Sequence, residues 1–232
     1  MNELIDCLQQ SLKEKANPEK AQGMAAYLKT EMPFYGVQKP EQKTIYRKLK
    51  PMLKELVQTE QDYRDAVLQL WQLPHREEKY TAIFVARHCK AWIQPSCLDL
   101  YEQLLREGAW WDFVDEVCIN LVGQLHRNHR EEIQPIMDQW IHDSDFWIRR
   151  SAILCQLKHK SQTDEEVLFR YCLTCIDETE FFIRKAIGWA LREYSKTEPD
   201  TIASFLTKHK AKLSGLSYRE GAKVLKKQGW DL

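Results

Sequence analysis

Asp115 stands four residues after Trp111 in the run GAWWDFVDEV, residues 108–117. Residues four apart share one face of a helix, so a carboxylate and an indole are placed side by side. A fixed carboxylate can stabilise a growing positive charge or take a proton from water. An indole face attracts cations. Trp189 has comparable company. It follows Gly188 and stands four residues after Lys185 and three before Arg192, which predicts a basic-aromatic-basic helix face. Such a face can hold a cationic or stacked base, worth on the order of 0.5–2 kcal/mol. Trp71, Trp92 and Trp140 sit at apolar positions of their helices and read as packing, as does Trp110.

A repeat joins these residues. FWIRRSAIL begins at Phe146 and FFIRKAIGW at Phe181, an offset of 35, and one step back by the same offset reaches Trp111 and WDFVDEVCI. All three segments open on an aromatic residue and carry charge at the fifth place: Asp115, Arg150 and Lys185. Helical pairs of this length stack into a curved solenoid on which equivalent positions point the same way. Two readings of the fifth places stand: the solvated side of each inner helix, or a functional row.

The elements that must carry the row are helices throughout. Asn17 before Pro18 is an N-cap with proline at the first helical position, opening a helix over residues 18–32. Pro40 opens the next, with Pro51 expected to bend or break it. Residues 75–93 read as one helix, and HRNH at 126–129 as a helix end where cations suit the dipole. Apolar residues recur three and four apart between short polar breaks, with no alternating strand pattern. The expected fold is all-α, a curved solenoid (superhelix) of HEAT-like helical repeats, as one domain over residues 1–232. At 44% hydrophobic and 29% charged, the composition is that of a globular chain rather than a disordered one. The amphipathic N-terminus lacks the apolar core of a signal peptide, and no segment approaches the ~18 apolar residues of a membrane span. A soluble, cytoplasmic protein without membrane partners is expected, and a monomer, since a capped solenoid needs no partner. The seven cysteines are scattered and read as reduced core residues; only Cys172 and Cys175 have ligand-like spacing, without a second pair, so no metal site is expected.

Basic and acidic residues balance at 34 each, yet their distribution is uneven. Lys208–Lys227 holds seven Lys or Arg against one acid, Glu220; Lys39–Lys54 holds six against one, Glu41; Arg149, Arg150, Lys158 and Lys160 form a third island. Such islands on separate repeats could track a phosphate backbone, although solvated helix faces produce charge runs too.

NPEKAQGMAAYLK, GVQKPEQ, LWQLPHREE, WWDFVDEV, WIRRSAILCQLKHK and FFIRKAIGWALREYSKTEPD recur in the order and spacing of a known family. From about Asn17 to Arg219 the chain resembles the bacterial DNA alkylation repair enzymes of the AlkD type, 3-methyladenine and 7-methylguanine DNA glycosylases built from HEAT-like repeats. The resemblance implies a site of Trp111, Asp115 and Trp189. It places Arg150 against DNA near the lesion, gives Tyr27 a DNA-facing role and puts Arg192 on the backbone; Lys158 and Lys185 join the expected DNA contacts from the basic islands and the row. It implies double-stranded alkylated DNA as partner, a bacterial cytoplasmic setting, no cofactor, and a shallow groove in which the damaged base stays in the duplex rather than being flipped.

The chemistry fits these residues. Alkylation at N3 or N7 makes a purine cationic and a good neutral leaving group. The positive charge growing on the sugar is then what needs a carboxylate, as in glycosidases. Asp115 would supply it and could align or deprotonate the attacking water. The expected activity is hydrolysis of the N-glycosidic bond of such purines in duplex DNA. The alternatives are a non-catalytic repeat protein that binds distorted or branched DNA, and an adaptor for a protein partner.

Overall fold

The computed structural model describes residues 1–232 and consists of helices and connecting turns, with no strand. It forms two compact units, Met1–Cys97 and Leu98–Leu232.

In the N-terminal unit, α1 (Asn2–Glu14) packs on α3 (Lys39–Leu56), which packs on α5 (Arg76–His88), which packs on α4 (Glu60–Trp71). Leu4, Leu8 and Leu12 of α1 and Ile45, Leu49 and Leu53 of α3 recur at four-residue spacing and are all buried. Each contributes about 1.5–3 kcal/mol by leaving water. The helix α2 (Pro18–Leu28) differs, because Leu28 is its one buried residue. Its start follows the expected cap, with the Asn17 side chain accepting the Lys20 N–H at 2.9 Å. The segment after it is pinned from α5. The buried Glu77 carboxylate accepts the backbone N–H groups of Tyr35, Gly36 and Val37 at 3.1, 2.8 and 3.0 Å. Gly36 is required there: its φ is +83°, and a Cβ would meet the Asn17 carbonyl oxygen at 2.0 Å.

The C-terminal unit runs through α6 (Leu98–Gly108), α7 (Trp111–Val117), a π-helical turn at Cys118–Val122, α8 (Gly123–Asn128), α9 (Arg130–Trp140), α10 (Phe146–Leu154), α11 (Glu165–Thr174), α12 (Phe181–Tyr194), α13 (Pro199–Lys208) and α14 (Gly215–Lys227). The helices α7 and α12 both pack on α10, and α14 packs on α12. These are the helices that the 35-residue offset links. The series extends one step further, since Lys185 plus 35 is Glu220, on α14.

Several local expectations change. α3 continues through Pro51. Both Pro51 and Arg47, whose carbonyl loses its i+4 partner, are exposed, so water can satisfy the freed oxygen. The helix expected over 18–32 stops at Leu28, where Lys29 takes a left-handed conformation with φ 51°. The one expected over 75–93 stops at His88, and Trp92 lies half-buried in a short 3-10 turn rather than in a helix core. HRNH does close a helix, α8, with His126 and Arg127 in its last turn, but burial keeps His126 from serving as a cation there. It is fully buried, hydrogen-bonded to Gln134 at 2.7 Å and stacked on His159 with ring centroids 5.4 Å apart. The seven cysteines are all free thiols. No helix is long and apolar enough to cross a membrane.

Candidate active site

The helix α7 begins in an unusual way. The Asp145 carboxylate caps α10 by accepting the Trp147 N–H at 2.8 Å, Glu180 caps α12 through Phe182 N–H at 3.2 Å, and Ser214 caps α14 through Ser217 N–H at 3.0 Å. The equivalent place before α7 holds Trp110, which makes no capping bond. A missing cap costs about 1 kcal/mol. Ala109 just before it has φ +28°, a conformation that side chains disfavour. Trp110 instead packs edge-on against Trp147 and Phe182, with centroids 6.1 and 5.6 Å away. That bears on the double tryptophan: Trp110 anchors the corner and leaves Trp111, half-buried, as the first helical residue.

One turn on, Asp115 meets α10. Arg150 Nε donates to its Oδ1 at 2.9 Å and Nη2 donates to its Oδ2 at 3.0 Å, a two-pronged pair between positions 35 apart. The third arm, Nη1, donates to the Phe182 carbonyl oxygen of α12 at 2.5 Å. The Arg150 side chain is only 4% exposed and that of Asp115 16%. The guanidinium therefore ties α7, α10 and α12 together at one point. Burial pushes the Asp115 carboxyl above its usual value; Arg150 opposes the rise, while Asp112 and Glu116 add to it. Each Asp115 oxygen has a second lone pair beyond the one used by Arg150. The anionic carboxylate therefore keeps room to accept a hydrogen bond, or to become neutral by taking a proton.

The π-helical turn that follows Asp115 has a visible cause. The Asn120 side-chain amide donates to the Glu116 carbonyl oxygen at 2.9 Å, taking a place in the helix ladder, and to Glu116 Oε2 at 3.1 Å. Side chains that insert into the ladder widen a helix locally, and such turns are frequent at functional sites. Lys158 Nζ donates to Asn120 Oδ1 at 2.7 Å, so the exposed Lys158 is linked to the helix of Asp115.

On α12, Trp189 is half-buried between Lys185 and Arg192. Both cations meet one acid of α14: Lys185 Nζ lies 3.0 Å from Glu220 Oε1, and Arg192 Nη1 lies 2.5 Å from Oε2. Tyr27, in the N-terminal unit, is 74% exposed on the sparsely buried α2. The structure thus brings Asp115 to Arg150, Lys158 to Asn120, and Lys185 with Arg192 to Glu220. Trp111 and Trp189 lie on α7 and α12, which both pack on α10. The resemblance sets Arg150 against DNA near the lesion; in the structure its Nε, Nη1 and Nη2 each donate within the protein. Asn120 has no signal in the sequence, and Glu220 stands there only as the one acid of a basic run; carrying the offset one step beyond Lys185 places it in the row.

No group of three or more His, Cys, Asp or Glu is placed to hold a metal ion. The model of the family described as DNA alkylation repair enzyme matches residues 8–225. A solved structure described as a predicted DNA alkylation repair enzyme from Enterococcus faecalis is 32% identical to the chain, with a TM-score of 0.83, covering 91% of this chain and 97% of that one. A Streptococcus mutans UA159 protein of known crystal structure, smu.31, shares the fold at 16% identity and a TM-score of 0.58, over 78% of this chain and 94% of that one. No match is found among curated proteins. With an all-α repeat fold and a family match over nearly its whole length, the chain belongs to the DNA alkylation repair enzyme family.

Proposed function

We propose that the protein is a DNA glycosylase that hydrolyses the N-glycosidic bond of cationic N3- or N7-alkylated purines, 3-methyladenine and 7-methylguanine, in duplex DNA. The observation that supports this most is the Asp115 carboxylate, partly desolvated and held at both oxygens by the buried Arg150.

An alkylated purine departs as a neutral base without needing an acid. The deoxyribose is left with oxocarbenium character, which a preorganised carboxylate stabilises at low cost in reorganisation. Asp115 faces that charge in this reading and accepts a proton from the attacking water through its remaining lone pairs. Arg150 is a positioning residue: it fixes the carboxylate plane and limits how far burial raises its pKa. Trp111 and Trp189 flank the sugar with π surfaces. Tyr27, Lys158, Lys185 and Arg192 contact the duplex, positioning it without reading its sequence. The protein works as a monomer on a base that stays in the duplex.

Release of free 3-methyladenine and 7-methylguanine from methylated duplex DNA by the purified chain tests this reading. Tight duplex binding with no base release would instead identify a non-catalytic binder.

A further inference from the structure

The basic run Lys208–Lys227 contains one acid, Glu220, and the fold turns that acid inward. Its side chain is 20% exposed and faces α12, where it divides its two oxygens between Lys185 and Arg192. It is no mobile surface counterion. The Glu220 Cβ lies 2.5 Å from where a Cβ on Gly188 would be, so α12 and α14 approach at backbone distance at this point. Burial works against ionisation of Glu220, but Lys185, Arg192 and Lys223 prevail and hold its carboxyl below the usual range. It also occupies the fifth place of the fourth repeat segment, so the row reads Asp115, Arg150, Lys185, Glu220, with Asp115 paired to Arg150 and Lys185 paired to Glu220 across helices.

Lys185 and Arg192 are seven residues apart, or about 10.5 Å along the helix, and both flank Trp189. They remain 37% and 23% exposed. An ammonium has three donors and a guanidinium five, so a phosphate can still reach each. It must do so against a carboxylate already in place.

We propose that Glu220 is a built-in competitor for DNA phosphate, which lowers the affinity of the Trp189 helix for undamaged duplex. The inference rests on the reading of α12 as DNA-facing. Sequence-independent binding is dominated by cations that neutralise phosphates and release counterions. By engaging two such cations in the free protein, Glu220 trims that term while leaving the contacts made by Asp115, Trp111 and Trp189 to favour lesions.

The test compares wild type with Glu220→Gln in binding an unmodified duplex across salt concentrations. The variant is expected to bind about three- to tenfold more tightly at low salt. Its plot of log affinity against log salt should be steeper by about 0.9 for each cation set free, up to ~1.8, and the two proteins should converge at high salt. Adding Lys185→Gln to the variant should remove about half of the gain. Glu220→Met, which also keeps the Cβ and Cγ in place, serves as a second variant if the first does not melt like wild type. A natively folded variant with unchanged affinity and slope overturns the inference while leaving the glycosylase reading intact. Failure of wild type to bind duplex at any salt overturns both.

Discussion

Replacing Arg150 by Met should report on Asp115 in two ways at once. Methionine keeps the length of the side chain but removes all three arms, leaving a mostly buried carboxylate without its counterion. Removing one partner of a buried pair costs about 3–5 kcal/mol. At about 2–4 °C per kcal/mol for a chain of this size, the melting temperature should fall by roughly 6–20 °C. The pH dependence gives the sharper test. Burial raises the Asp115 pKa, and Arg150 is the group that opposes the rise. Without it the pKa climbs further, and the carboxylate needed for base release is lost at a higher pH as the solution is acidified. The acid limb of the rate–pH profile of Arg150→Met should therefore move upward relative to wild type. Arg150→Lys restores the charge but not the two-pronged geometry, and should recover part of the limb's position. Scanning calorimetry with single-turnover base release at several pH values measures both effects. An unshifted acid limb together with an unchanged melting temperature would refute the positioning role of Arg150.

Three further outcomes follow from the packing. The His159 pKa is depressed from 6.5 to about 4, chiefly by burial. The unfolded chain thus binds the extra proton between those values, and stability should fall by about 3 kcal/mol as pH drops from 6.5 through 4; His126 is depressed in the same direction for the same reason. Urea denaturation of wild type and His159→Gln should show this pH slope flattened in the variant. Gly188→Ala would set a Cβ 2.5 Å from that of Glu220 and 2.8 Å from the Ser217 carbonyl oxygen. The forced separation of α12 and α14 should cost about 1–3 kcal/mol and lower base release by moving Trp189, seen as a lower urea midpoint and a slower release rate. Ala109→Gly relieves the left-handed φ before α7 and should raise stability by about 0.5–1 kcal/mol, read from the same midpoint.

The repeat was legible in the sequence because aromatic openings and fifth-place charges recur at a fixed offset, and the helices they start do pack in series: α7 on α10, α10 on α12, α12 on α14. An offset says that positions are equivalent. It does not say whether equivalent side chains face solvent or each other. Arg150 turns toward Asp115 because the neighbouring charge in the row has the opposite sign and the site is mostly closed to water. The pairing is visible only once Glu220 is added, since the row then runs negative, positive, positive, negative and divides into the pairs Asp115–Arg150 and Lys185–Glu220. Pro51 failed as a breaker for a similar reason: the cost of proline in a helix depends on whether the freed carbonyl reaches water, which sequence does not state. The π-helical turn was hidden too, because it rests on the Asn120 side chain choosing its own helix's carbonyl.

The central claim is that Asp115 stabilises charge on the sugar as the base leaves. A unit charge about 4 Å away at an effective dielectric constant near 20 is worth ~4 kcal/mol, or about a thousandfold in rate. Asp115→Asn keeps an oxygen for Arg150 while removing the charge. Its single-turnover release of 7-methylguanine from methylated duplex DNA, measured beside wild type on protein that melts as a folded chain, should fall by about two to three orders of magnitude. Release at the wild-type rate would contradict the account.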